Sequence, residues 1–183
     1  FVCLLVAAGQ RGAPSVLIQP FEQAFGWDRG VISTSASLGI LCYGLMGPFA
    51  AALMQRFGIR HVIMSALAVM SIAIGASYFM TQTWQLILLW GLVSGVGSGC
   101  VALVLAATIV ARWFSTRRGL IMGLMTASTA TGNLIFNPGL AWIAQHHGWQ
   151  PVALVIAAAT AVLIPVVFFL LPEWPSDAGL RRY

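Results

Sequence analysis

The chain has 183 residues, 60% of them hydrophobic and only 7% charged, with a formal net charge of +5. Its mean hydropathy is +0.92 and its pI about 9.9. A soluble domain carries about 25% charged residues, so this composition excludes a water-covered globular surface and makes the bilayer the expected solvent. The basic balance does not point to nucleic acid. There is no lysine, and the nine arginines fall mostly in short stretches between apolar runs, where they read as topology signals.

Phe1 already lies in apolar sequence, with neither Met nor a basic segment before it. No cleavable signal peptide is visible, and a chain cut at its front is expected. A membrane-crossing helix takes about 20 mostly apolar residues. Six stretches qualify, at about 1–20, 31–54, 59–80, 84–110, 119–144 and 151–171. They read as helices, because unpaired peptide groups are too costly in hydrocarbon and the alternating strands of about 10 residues that a barrel needs are absent. Residues 1–172 are expected to form one unit, and the polar, proline-containing stretch 173–183 the start of a cytoplasmic linker.

Charge gives the sidedness. Arg56 and Arg60 follow the second span, Arg112, Arg117 and Arg118 the fourth, and Arg181 and Arg182 the sixth. The other side carries only Arg29, beside Glu22 and Asp28. The positive-inside rule then puts the even-numbered helix ends in the cytoplasm of a chain crossing the cell (inner) membrane several times. Trp27, Trp84, Trp113, Trp149 and Trp174 fall near span ends, as interfacial anchors do. Trp90 and Trp142 lie deeper and read as packing residues. Cys3, Cys42 and Cys100 fit neither a metal site nor a disulfide framework by number or spacing, and read as packing residues too. Gly91, Gly95 and Gly99 recur every four residues on the fourth span, and Gly119, Gly123 and Ala127 on the fifth. Small residues at this spacing admit close helix contact, either inside the bundle or against a second domain that slides.

Single residues carry the chemistry. Arg11 lies about 12 residues before the loop that follows the first span, so about 18 Å deep at 1.5 Å per residue. That is near the middle of a core about 30 Å thick, where an ionisable group costs at least about 2.5 kcal/mol and marks a polar pathway. Its guanidinium suits bidentate capture of a carboxylate. The alternative is a structural Arg that pairs with backbone carbonyls or reaches an interface. Gln10, Ser15 and Gln19 share the span. Pro14, one turn away, frees backbone carbonyls and is placed to kink the helix. Asn133 and Asn137 are four apart and hence on one face; they line a cavity or hydrogen-bond between helices. Tyr43 and Ser98 are further cavity candidates. His146 and His147 read as a solvated loop.

Six spans with basic loops after the second and fourth resemble the amino-terminal half of a major facilitator superfamily transporter. The signature of that superfamily after the second span is matched by Ala51, Gln55, Arg56, Phe57, Gly58, Ile59, Arg60 and His61, with Ala51 where Gly is usual and Gln55 where Asp is usual. Within it the chain is similar to monocarboxylate-porter and oxalate/formate-antiporter members. Arg11, Pro20 and the run Phe25-Gly26-Trp27-Asp28-Arg29 carry that likeness, with Ala111-Arg112-Trp113-Phe114, Arg117-Arg118-Gly119 and Gly148-Trp149.

The resemblance implies an all-α transmembrane six-helix bundle, one half of a twelve-helix fold, built from two inverted three-helix repeats. It implies alternating access around a central site, for which Arg11, Gln10, Ser15, Tyr43, Asn133 and Asn137 are the substrate-binding candidates. A small organic anion, a monocarboxylate first, is the expected cargo, with a coupled proton or counter-anion. The other partners are the bilayer and a carboxy-terminal six-helix half; no cofactor, metal, nucleic acid or catalytic residue is expected. Gln55, Arg56, Gly58 and Arg60 would form the cytoplasmic gating loop. An uncharged Gln55 cannot ion-pair as Asp would, so a weaker inner latch is expected. A transporter for another small solute, or a six-helix membrane protein without transport, remains the alternative. An intramembrane serine protease is a poor fit: Ser98 lies between Gly97 and Gly99, but Val96 breaks the motif and the His base in a later span is lacking. No His-Glu pair on a helix supports a metalloprotease.

Overall fold

The computed structural model describes residues 2–101, 103–113 and 117–170, without the side chains of Leu103, Arg112, Trp113 and Leu170. Expectations for the side chains of Arg112 and Trp113, for Phe114, and for Trp174, Arg181, Arg182 and the 173–183 stretch lie outside the described residues. Six helices are long and apolar enough to cross a membrane: α1 (Val2–Phe25), α2 (Arg29–Phe57), α3 (Ile59–Phe79), α4 (Thr83–Ala111), α5 (Arg118–His147) and α6 (Trp149–Phe169). Large apolar side chains such as Leu45, Phe49, Leu134 and Phe169 stand exposed, as a lipid-solvated bundle allows.

Three expectations at helix ends need correction. Helix α1 runs past Pro20 to Phe25, because a proline in a transmembrane helix forfeits one bond that its surroundings can replace. The helix stops at Gly26, whose φ of 65° lets its N–H return to the Glu22 carbonyl at 2.9 Å. His146 and His147 are not a loop but the last residues of α5. His146 Nδ1 donates to the Trp142 carbonyl at 2.9 Å, and its ring lies 4.8 Å from that of Trp142. Trp142 is therefore an exposed residue rather than a packing one.

The packing has an internal symmetry. Helix α1 packs chiefly on α5, α2 on α4, and α3 on α6. Exchanging the first three helices for the last three maps this set of pairs onto itself. An odd number of crossings per repeat inverts the second copy. The hinges repeat too. Gly58 alone joins α2 to α3 at φ 86°, and Gly148 alone joins α5 to α6 at φ 82°. Each follows, ten residues on, a proline inside the preceding helix, Pro48 or Pro138.

Close approach of α2 and α4 rests on the α4 glycines. A β-carbon at Gly95 would stand 2.6 Å from the Gly39 carbonyl oxygen of α2, and one at Gly91 would stand 3.0 Å from that of Ser35. Between apolar helices in lipid no hydrophobic driving force exists, and van der Waals contact at such seams holds the pair. The α5 stripe differs: nothing lies within 4 Å of a β-carbon at Gly119 or Gly123.

Two apolar clusters fill the interior. One gathers Val6, Met54, Ile59, Ile63, Val101, Leu105 and Val167. The other gathers Leu17, Phe21, Ile32, Ile74, Leu86, Trp90, Leu140 and Trp149. Phe136 packs against both. At the end of the second cluster, Phe25 stacks on Trp27 at 4.3 Å and meets Trp149 at 5.4 Å. Trp149 is thus a buried clamp rather than an interfacial anchor, because Phe21 and Phe25 cover it.

Candidate functional site

A cavity of about 460 Å³ is walled by α1, α2, α4 and α5. Gln10, Arg11, Ser15, Tyr43, Asn133 and Asn137 all line it, as do Trp90, Ser94 and Ser98. Gln19 does not. Ser15, Ile40 and Asn133 form exposed parts of its rim.

Arg11 sits nine residues after Val2 and fourteen before Phe25 on α1, so close to the middle of the span. It is half-buried. Its guanidinium carbon lies 4.5 Å from the centre of the Tyr43 ring, a separation at which a cation is attracted to an aromatic face. No carboxylate lines the cavity among the described residues. The ring attracts the guanidinium without neutralising it, so the site keeps a full positive charge with donors to spare.

Polar side chains surround that charge. Gln10 is 1% exposed and donates from Nε2 to Ser94 Oγ at 3.0 Å. Ser15 donates its hydroxyl to the Gly12 carbonyl at 2.6 Å, and Ser98 donates to that of Gly95 at 3.0 Å. Both hydroxyl oxygens keep acceptor capacity. The amide oxygen of Asn137 occupies the space where a β-carbon on residue 12 would stand, so the bare Gly12 is what admits Asn137 to the α1–α5 seam. Asn133, one turn before it, is exposed at the rim.

Sequence reasoning passed over Trp90 and Ser94. Trp90 lies on a π-helical segment of α4, Ile87–Val93; its wider turn is a feature frequent at functional sites. Trp90 is 3% exposed and belongs to the second apolar cluster, so the packing reading holds for its ring. Its indole edge also lines the cavity. The available signal was a polar-aromatic spacing, Trp90, Ser94 and Ser98 at intervals of four, which puts all three on one helical face.

The gating-loop candidates stand apart from this cavity. Gln55 and Arg56 are exposed near the end of α2, with Arg56 5.4 Å from the Phe57 ring. Twelve residues separate Tyr43 from Gln55, about 18 Å along the helix. Arg60 is half-buried and lies 4.1 Å from the Phe168 ring of α6. It thereby ties the start of α3 to the sixth helix.

Comparison with known proteins agrees with this architecture. The family model described as Major Facilitator Superfamily matches residues 1–181. The chain is 27% identical to the uncharacterized MFS-type transporter YcxA of Bacillus subtilis, over 82% of this chain and 37% of that protein. It is 30% identical to monocarboxylate transporter 13 of Bos taurus, over 86% of this chain and 37% of that one. It is 28% identical to monocarboxylate transporter 14 of Homo sapiens, over 98% of this chain and 36% of that one. The chain thus spans a little over a third of the relatives' length. By the family match over nearly all of its residues and the six membrane-crossing helices paired as two repeats, the chain belongs to the Major Facilitator Superfamily.

Proposed function

We propose that this six-helix unit supplies one wall of a secondary transporter that moves a small organic anion, a monocarboxylate first, by alternating access. The observation that carries the reading is Arg11. A cation held at mid-span, in a cavity that no described carboxylate lines, attracts an anion in a medium where charge is costly. The names of the bovine and human relatives point the same way. The arginine-rich ends of α2 and α4 belong on the cytoplasmic side by the positive-inside rule. Gln55, Arg56 and Arg60 there serve as the inner latch, held more weakly than an ion-paired one.

The test is uptake of labelled short monocarboxylates by the full-length transporter in proteoliposomes. A hydrogen bond to a charged group contributes about 1.5–3 kcal/mol, so Arg11→Gln should raise KM by about tenfold or more. Arg11→Lys should retain part of the affinity, because it keeps the charge and loses the fork. Unchanged uptake and affinity in Arg11→Gln would falsify the proposal.

A further inference from the structure

A second cavity lies at the arginine-bearing end of α2, and its use does not depend on the cargo proposed above. We infer that it is a binding groove for one acyl chain of an anionic phospholipid, whose headgroup rests on Arg56. The groove has a volume of about 600 Å³ and is walled by α2, α3 and α4. Its floor includes Ala66, Gly97 and Cys100, all buried, and their small size leaves the room between the helices. Its rim is exposed. Leu53 and Phe57 form one edge on α2, and His61, Ser65 and Val69 form the other on α3 at intervals of four. The Ser65 hydroxyl is spent within its own helix, donating to the Val62 carbonyl at 2.9 Å. The groove between the rims therefore suits hydrocarbon.

Length, direction and charge select the occupant. From Phe57 to Met46 the groove follows α2 for eleven residues, about 16 Å. That is half of a hydrocarbon core of about 30 Å, the depth of one leaflet. Met46, Leu53 and Phe57 lie roughly 100–140° around α2 from Ile40, at 3.6 residues per turn. The groove thus opens on a different side of α2 from the rim of the Arg11 cavity, and a lipid chain seated in it does not block that cavity. The mouth is basic. Arg56 is exposed, and its guanidinium carbon lies 5.4 Å from the ring of Phe57, which lines the groove. No acidic residue occurs between Asp28 and Glu173, so no carboxylate of α2 to α6 neutralises Arg56. A lipid phosphate at the edge of the hydrocarbon supplies that counter-charge, because basic residues there attract anionic headgroups. A zwitterionic headgroup brings its own cation and is held less.

The test titrates the full-length transporter, delipidated in detergent, with phosphatidylglycerol and phosphatidylcholine of matched chains, and reads bound lipid by native mass spectrometry. Phosphatidylglycerol should bind about fivefold or more tightly, the worth of one arginine beside an anionic headgroup. Arg56→Gln should bring that ratio toward one. Ser65→Phe fills the groove from its exposed rim and should weaken both lipids by about tenfold or more, the loss of about two buried methylenes. Val162→Phe, at an exposed position of α6 outside the groove, should change neither. Arg56→Gln sits at an exposed helix end and carries the test should Ser65→Phe fail to fold. Equal affinity for the two lipids, or a preference that survives Arg56→Gln, overturns the site. So does a Ser65→Phe variant that binds as the wild type does. If Val162→Phe weakens binding as much as Ser65→Phe, the lipid belongs to an undifferentiated shell and the groove is overturned. Displacement of phosphatidylglycerol by inorganic phosphate marks a soluble anion as the ligand and overturns it as well.

Discussion

The guanidinium of Arg11 on α1 lies 4.5 Å from the centre of the Tyr43 ring on α2. The two helices thereby share a charge at the cavity wall, and the ring fixes where the charge points. A half-buried cation–aromatic contact is worth about 0.5–2 kcal/mol. Tyr43→Leu should therefore raise the KM for carboxylate uptake by roughly 2–30-fold. Tyr43→Phe keeps the ring and should lose less. If Tyr43→Leu matches the wild type in a proteoliposome assay, the ring does not position Arg11.

A polar site at mid-span has to be wet. Ser15 is an exposed rim residue and Leu17, two positions on, is fully buried in the second apolar cluster. In a background with Cys3, Cys42 and Cys100 replaced, Ser15→Cys should react with a membrane-impermeant thiol reagent, and Leu17→Cys should be protected. A carboxylate substrate should slow the Ser15→Cys reaction. Equal protection of both cysteines would show that no aqueous path reaches Arg11.

The six crossings and the cavity residues were legible because lipid enforces a simple grammar. Runs of about 20 apolar residues must be helices, and an Arg, an amide or a proline inside one has to be accommodated by protein or water. Arg11, Gln10 and Asn137 announced themselves as polar residues in apolar sequence. Trp90 did not, since an indole in an apolar run reads as core, and only its neighbours show that its N–H goes unmet among the described residues. The π-helical turn that carries it leaves no trace in propensity. The glycine stripes were visible, yet their destinations were not. The α4 stripe faces α2, whereas Gly119 and Gly123 of α5 face open space, and spacing alone is identical for both. Trp149 likewise read as an anchor, because burial under Phe21 and Phe25 depends on how α1 and α6 meet.

Gly12 and Asn137 form a pair that can be tested by a cycle. The Asn137 amide oxygen fills the place of the missing β-carbon on residue 12. Gly12→Ala should overpack the α1–α5 seam at a cost of about 1–3 kcal/mol. Asn137→Ala opens the space, and the double variant should be less destabilised than the sum of the singles, with a coupling of about 0.5–3 kcal/mol. Thermal unfolding in detergent reads each corner of the cycle. Additive effects would mean that the two residues do not compete for one space.

The two single-residue hinges offer a test of the internal symmetry. Gly58 has φ 86° and ψ 153°, and Gly148 has φ 82° and ψ −172°. Both fall in a region of backbone space essentially open only to glycine, where another residue costs about 1–3 kcal/mol. Gly58→Ala and Gly148→Ala should each lower the unfolding midpoint by a similar amount. The hinges close opposite ends of the bundle, about a hydrocarbon thickness of 30 Å apart, so their effects should add. Gly44 supplies the control: it has an ordinary negative φ within α2, and a β-carbon there would meet nothing within 4 Å. Gly44→Ala should be neutral or slightly stabilising, because only the backbone entropy of glycine is lost. If Gly58→Ala proves as mild as Gly44→Ala, the sharp turn between α2 and α3 does not depend on the positive φ, and the matched hinges are a coincidence of sequence rather than a requirement of the repeat.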